Sequence, residues 1–479
     1  MKRTESEFLP ELARLKKHIR EIKETALVVP PDPEELALNP CLYLLSVHWK
    51  NLAQYLQAPD LPDPEPGEEF VIIWKHPGNS EVRAQTASPE ELLILKMIAE
   101  GIDRREIATL GAVPVGAVDA ALGRAVAKGI VLAPRSRLRR NLPASGIAPE
   151  TDERFLTSPT FTLQWHLTQA CDLHCRHCYD RSARATPTLP QALGILDDLE
   201  DFCDQKHVRG RVSFTGGNPL LHPDFPAIYR AAAERGFTPA ILGNPAPRAE
   251  LEHLIASEPP DFYQVSLEGL PEYNDYIRGQ GHFGRVMDFL ELLRELGIYS
   301  MVMLTLTKDN LPQVLPLGEL LREKADIFYF NRLALVGAGA ALALPVKEDY
   351  ILFLATYLEA SAHNRVLGWK DNLLNILLTN NGASPFGGCT GFGCGAAFNF
   401  LAVLPDGEVH ACRKFPSPVG NIFAQGLAAI YEGDRAGRYR AGCAACAPCS
   451  LKPVCGGCLA SAYSQGLNIF AQKDPYCFL

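Results

Sequence analysis

"ACDLHCRHCY", residues 170–179, sets Cys171, Cys175 and Cys178 on one short turn, directly after "FTLQWHLT" (161–168), whose alternating apolar and polar residues predict a strand. A structural zinc ion takes four ligands, and so does an ordinary iron–sulfur cluster, so three thiols leave a metal one ligand short. That open position is where chemistry takes place. Spacing alone also allows three unrelated buried thiols, or a zinc knuckle completed by His174 or His177.

The chain has 479 residues, 47% hydrophobic and 21% charged, enough for several domains. Its net charge of -9 argues against a protein that binds nucleic acid by neutralising phosphates. The one dense basic run, "RSRLRRNL" (135–142), reads as a solvated linker. The N-terminus is too charged for a secretory signal, and no stretch approaches the roughly 20 apolar residues that cross a bilayer. A cytoplasmic protein without membrane contact is expected. In that reducing compartment fourteen cysteines point to metal ligation or catalysis rather than disulfides. Cys41, Cys203 and Cys443 read as ordinary buried thiols outside the clusters.

Residues 1–60 predict a helical segment, with Leu12, Leu15 and Ile19 at helical spacing and a second apolar group in "CLYLLSVHWKNLAQYL" (41–56). The acidic, proline-rich stretch 58–69 fits neither helix nor central strand and reads as a linker. Residues 68–140 then show a hairpin, "FVIIWK" (70–75) and "EVRAQT" (81–86), followed by three helices, the first opened by Ser88 and Glu91 in capping-box spacing. That order describes a small winged-helix-like domain. Its third helix carries only Arg124 and Lys128 as cations, poor equipment for reading DNA.

After a linker at 141–158, strand and helix alternate through 159–340: "FTLQWHLT", "RVSFT", "PAILG", "YQVSL", "SMVMLTL" and "IFYFNRL" are the strands. Six βα units predict a parallel α/β sheet with right-handed crossovers, too few for a closed eight-stranded barrel, hence an open, partial (β/α)6 TIM-like barrel. Such sheets place active sites at the C-terminal ends of their strands, where the three-cysteine loop lies. A helical bridge (341–380) leads to a cysteine-rich tail (381–479).

CxxxCxxC after the first strand, with "FTGGNP" (214–219) after the second, resembles the radical S-adenosylmethionine (SAM) superfamily. The resemblance implies a [4Fe–4S] cluster held by Cys171, Cys175 and Cys178, with the fourth iron chelated by SAM: the missing ligand is the cofactor. It implies too that Gly216, Gly217, Asn218 and Pro219 hold the methionyl amine, the glycines leaving room for backbone to approach a ligand. The family commonly has Glu where Asn218 stands. His177 occupies the position of an aromatic residue that packs on adenine. "SLEG" (266–269) and "NDYIRG" (274–279) are similar to a fourth-strand segment in which Ser266 contacts SAM; Arg278 is a further candidate, with a loop ion pair as its alternative.

The tail resembles the SPASM extension, which implies two auxiliary [4Fe–4S] clusters, one on Cys389, Cys394, Cys412 and Cys458, the other on Cys446, Cys449, Cys455 and Cys477. Cys455 and Cys458 are separated by two residues where the usual pattern has three; Cys443 is then a spare thiol, although "CAACAPC" (443–449) also allows a shifted register that makes it a ligand. A double zinc ribbon is the alternative for the tail alone. "LPDGEVHAC" (404–412) predicts a hairpin turning at Asp406-Gly407. Arg413 stands where anaerobic sulfatase maturases carry an acidic base, which argues against sulfatase maturation.

The 68–140 domain is similar to the leader-peptide recognition domains of ribosomal-peptide maturation systems, such as the pyrroloquinoline quinone chaperone. Together these resemblances imply a radical SAM maturase that cleaves SAM to a 5'-deoxyadenosyl radical and oxidatively modifies a precursor peptide bearing a leader. The product would be a C–S or C–C bond, or a heterocycle at cysteine-containing sites, with flavodoxin or ferredoxin as electron donor. "NPCLYLLSVHWKNL" (39–52) resembles the selenobiotic-type thio(seleno)oxazole maturases. The rivals are a SPASM enzyme acting on a small molecule or folded protein, and a redox-sensing, DNA-binding iron–sulfur regulator.

Overall fold

The computed structural model describes residues 7–26, 33–58, 62–111, 113, 115–140 and 152–479, in two units, Met1–Arg135 and Ser136–Leu479. The first contains α1 (Leu9–Glu24), β1 (Ala37–Leu38), β2 (Leu42–Lys50), α2 (Leu52–Gln57), β3 (Glu65–Lys75), β4 (Val82–Thr86), α3 (Pro89–Glu100), α4 (Arg104–Gly111), α5 (Val115–Ala127) and β5 (Val131–Leu132). Strands β2, β3 and β4 form an antiparallel sheet in that order, and β1 pairs with β5. "VIIW" is a continuous apolar run because both faces of β3 are covered. Val71 and Ile73 pack with Leu12, Leu15, Leu45 and Val47, while Ile72 and Trp74 pack with Ile94, Met97, Ile107 and Val118 of the three helices. Ser88 and Glu91 close the capping box that starts α3.

Two expectations for this unit are overturned. The apolar group after Cys41 is strand β2, not helix: Leu45 and Val47 are buried two residues apart, and pairing to β3 outweighs the helical spacing. The expected linker at 58–69 contains the start of β3, where Pro66 pairs with Trp49. Strand β4 pairs only with Val71–Lys75, so among the described residues β3 has no strand neighbour on that side at Pro66, and the missing amide costs no ladder bond there. The segment read as 1–60 and that read as 68–140, up to Arg135, thus share one sheet and one unit.

The second unit begins inside the basic run, which is no solvated linker. Arg139 bridges to Thr157, and Arg140 is buried, donating from Nη2 to the carbonyls of Phe392 at 2.8 Å and Cys394 at 2.5 Å. A guanidinium can satisfy several loop carbonyls that would otherwise lack donors. Of the expected linker, 141–151 lies outside the described residues; beyond it Phe155 and Leu156 are buried.

All six expected strands are present: β6 (Thr160–Thr168), β7 (Arg209–Gly216), β8 (Thr238–Leu242), β9 (Tyr263–Ser266), β10 (Ser300–Leu306) and β11 (Ile327–Arg332), parallel and in sequential order. Between them run α6 (Leu189–Lys206), α7 (Phe225–Glu234), α8 (Arg248–Ile255), α9 (Pro271–Arg278), α10 (His282–Glu295) and α11 (Val314–Leu321). Leu163, Trp165, Phe214, Val265 and Leu304 join the helices' apolar residues in one core. The tail is not separate from this sheet. After α12 (Lys347–Ser361) and α13 (Leu374–Asn380), β12 (Phe400–Val403) adds parallel to β6, and β13 (Glu408–His410) and β14 (Pro418–Asn421) extend the sheet to nine strands. The β12–β13 hairpin turns at Gly407, whose φ of 80° favours glycine. Among the described residues no single helix is long and apolar enough to cross a membrane.

Candidate active site

Parallel strands deliver their C-terminal ends to one edge, and the three-cysteine loop leaves β6 there. The next strand end holds it in place. Gly217 N donates to Thr168 O at 2.8 Å and Asn218 N to Ala170 O at 2.7 Å. A Cβ at Gly216 would stand 2.2 Å from Thr168 O, and one at Gly217 2.1 Å from Ala170 O. The glycine pair therefore makes room for the backbone that leads into the cysteine loop. Asn218 is buried; its Nδ2 donates to Asp172 Oδ1 at 3.2 Å, and its Oδ1 accepts from Leu220 N in the turn begun by buried Pro219.

Below the loop lies a buried polar network. Glu268 Oε1 accepts from Arg278 Nε at 2.9 Å and Nη2 at 2.6 Å, and lies 3.3 Å from His177 Nε2; Oε2 accepts from Thr305 N at 2.8 Å. Burial alone would raise its carboxyl, but the His177 and Arg278 charges hold it at about 2. His177 and Arg278, separate candidates in the sequence, are brought together here; Ser266 ends β9 two residues before Glu268 and is partly exposed. Buried His177 Nδ1 has no hydrogen-bond partner, an orphan beside the cysteines that suits a bound polar group.

Three contributors escaped the sequence reading. Glu268 lies inside the quoted "SLEG" yet carried no role. Asn244, beyond β8, donates to Asp172 Oδ1 at 2.6 Å and lies 3.8 Å from Cys171 Sγ. The loop after β11 covers the cysteines: Ala338 N donates to Cys178 O at 2.9 Å, and a Cβ at Gly337 would meet Tyr179 O at 2.4 Å. "GAG" at 337–339 was the available signal. On the tail side, Arg413 Nη1 donates to Thr215 Oγ1 at 2.7 Å with its guanidinium 5.0 Å over the Tyr179 ring, whose hydroxyl lies 3.0 Å from His166 Nε2. Burial, then Arg413, drives the His166 imidazole well below its usual range.

The tail thiols fall into two groups. Cys412 is pushed up to about 12 by burial, with Cys394 and Cys458 adding to the effect, and Cys394 is raised by burial, Cys458 and Cys389. Cys446, Cys449, Cys455 and Cys477 line one cavity with Leu373 and Ile376. Cys443 is buried outside that lining, in contact with Cys446. Asn372, just before α13, ties the groups together: its Oδ1 accepts from Cys389 N at 2.7 Å, and its Nδ2 donates to Cys455 O at 2.9 Å. Among the described residues no three His, Cys, Asp or Glu side chains converge on a single-ion position. Four thiols around one cavity fit a four-iron cube, whose thiolates stand around it. No disulfide joins any of the fourteen cysteines.

Residues 165–321 match the model of the radical SAM superfamily, and 394–459 that of SPASM, an iron–sulfur cluster-binding domain. Among relatives, the AdoMet-dependent heme synthase of Methanosarcina barkeri is 25% identical, over 67% of this chain and 97% of its own. The mycofactocin maturase MftC of Mycolicibacterium smegmatis is 28% identical, over 68% of this chain and 85% of its own. The fold is similar to that of Streptococcus suis SuiB, with a TM-score of 0.55 at 17% identity, covering 86% of this chain and 96% of SuiB. The chain thus carries a radical SAM domain joined to a SPASM domain, and with them the enzymatic character and the cofactors, SAM and [4Fe–4S] clusters, that its cysteine spacing implies.

Proposed function

We propose that this enzyme oxidatively modifies a ribosomally synthesised precursor peptide, forming a C–S or C–C bond or a heterocycle at cysteine-containing sites. The observation that carries the reading is that strands β12–β14 join the cysteine-rich tail, with four of its thiols lining one cavity, to the sheet whose strand β6 leads into the open three-thiol loop, in a chain that also has a small N-terminal sheet unit. The second unit alone accounts for 344 of 479 residues, about 72%, so the 86% covered by SuiB extends into the first. SuiB has a structure with its precursor peptide SuiA, and MftC is a maturase.

Cys171, Cys175 and Cys178 would hold the cluster that binds SAM. Cys389, Cys394, Cys412 and Cys458 would hold one auxiliary cluster, and Cys446, Cys449, Cys455 and Cys477 the other. Bound there, cluster and SAM supply one-electron, hydrogen-abstracting chemistry. Gly216 and Gly217 seat the cysteine loop, Asn218 and Asp172 brace it, and the loop at 337–339 packs on its Cys178–Tyr179 end. Arg413 and Tyr179 connect the residues following Cys412 and Cys178, where substrate would lie between the two thiol groups.

The heme synthase favours a second reading, a small-molecule substrate, because its match spans nearly all its own length within 67% of this chain. Incubating the anaerobically reconstituted chain with SAM, reductant and the cysteine-rich peptide encoded nearby separates the readings. The proposal expects 5'-deoxyadenosine and a peptide lighter by hydrogens. 5'-Deoxyadenosine with an unchanged peptide that the chain does not bind favours the small molecule.

A further inference from the structure

Arg278 does more than pair with Glu268. Two of its guanidinium nitrogens, Nε and Nη2, are spent on Glu268 Oε1, and the third, Nη1, lies 3.7 Å from Cys175 Sγ. Glu268 cannot swing away. Its other oxygen accepts from Thr305 N, its own N–H donates to Asn274 Oδ1 at 3.0 Å, and its carbonyl accepts from Asn310 Nδ2 at 2.8 Å. Helix α9 is in turn fastened to the cysteine loop: Arg176 N donates to Ile277 O at 2.9 Å, and Arg176 Nε to Tyr276 O at 2.8 Å. The donor is therefore aimed from both ends. The three thiols are not equivalent: Cys175 faces a guanidinium and Cys171 an amide, whereas Cys178 Sγ meets the carbonyl of Asp180 at 3.3 Å.

An iron–sulfur cluster gains negative charge on reduction, and hydrogen bonds to its sulfurs help to set its potential. We propose that Arg278 is a positioning residue that donates to the Cys175 thiolate and raises the reduction potential of the cluster on Cys171, Cys175 and Cys178, with Glu268 aiming the donor; this rests on reading that loop as the SAM cluster site. It differs from the role suggested by sequence resemblance, a direct contact from Arg278 to SAM.

The test is a potentiometric titration of the full, reconstituted chain without substrate, following by electron paramagnetic resonance the cluster signal that SAM perturbs. Arg278→Gln should lower the midpoint. Glu268→Gln removes a negative charge but keeps a carbonyl oxygen to accept from Arg278, so the donor stays aimed and the midpoint should rise, and Arg278→Lys should fall between wild type and Arg278→Gln. Shifts of the same sign in both Gln variants, as general loosening would give, overturn the proposal. So does an unchanged midpoint with weakened SAM binding in Arg278→Gln, which would make Arg278 a SAM contact. If Arg278→Gln holds no iron, the opposite displacements of Arg278→Lys and Glu268→Gln still decide. A wild-type signal that ignores SAM overturns the underlying reading, and the inference with it.

Discussion

Arg332, the last residue of β11, meets Asp474, near the C-terminus, in a bidentate pair: Nη1 to Oδ1 at 2.8 Å and Nη2 to Oδ2 at 2.7 Å. Its Nε donates to Asp371 at 2.8 Å, and Asp474 Oδ2 also accepts from Cys458 N at 2.8 Å. The barrel's final strand thereby fixes the position of a tail cysteine. Arg332→Met would leave two buried carboxylates without a counter-charge, at a cost of about 3–5 kcal/mol. Thermal unfolding should register that loss, and iron should fall because the tail thiols lose their alignment; unchanged iron would mean that the tail holds its geometry without the pair.

Replacing Cys171, Cys175 and Cys178 together by Ala should remove roughly a third of about twelve irons per chain and abolish SAM cleavage. Zinc in place of iron after anaerobic expression, or surviving cleavage, would refute the cluster assignment.

Gly217→Ala adds a carbon 2.1 Å from a backbone oxygen that cannot rotate away. The cysteine loop must move, so iron should fall by about a third and 5'-deoxyadenosine formation with it, while absorption from the tail clusters persists. Normal turnover in this variant would show that the loop tolerates displacement from the strand end.

The Glu268 carboxyl, held at about 2 against an ordinary 4.5, is depressed in the folded chain. Its contribution is present above pH 4.5 and disappears as pH falls toward 2; by linkage it is on the order of 3 kcal/mol. Denaturant titrations of iron-free wild type and Glu268→Gln should differ at pH 6 and converge near pH 2. A gap that stays constant over that window would show that the carboxylate's charge is not what stabilises the network.

Strand β4 is one edge of the N-terminal sheet, where an extended leader peptide can add as another strand. Ala87 N bonds Phe70 O, so ladder alternation turns the amides of Thr86, Ala84 and Val82 away from β3. Gln57 Nε2 already donates to Ala84 O, which leaves the Val82 end more open. A leader peptide should slow hydrogen exchange at residues 81–86, and Val82→Pro should weaken its binding while SAM cleavage with a chemical reductant continues. Protection confined to the second unit would assign this unit a structural role.

What the sequence determined by itself was local. CxxxCxxC after an alternating strand, a capping box at Ser88, six strand–helix units and the Asp406-Gly407 turn each depend on neighbours a few residues apart, and each is present in the fold. Tertiary structure decided what depends on distant partners. "CLYLLSVHWK" is a strand because β3 lies beside it, and Arg140 is buried because carbonyls more than 250 residues away need donors. Gly216 and Gly217 proved to accommodate the cysteine loop's own backbone. Glu268, an unremarked acid in the chain, stays ionised in the interior because folding brings Arg278, His177 and the Thr305 amide to its two oxygens, and hydrogen-bond geometry of that kind leaves no periodic trace in a sequence.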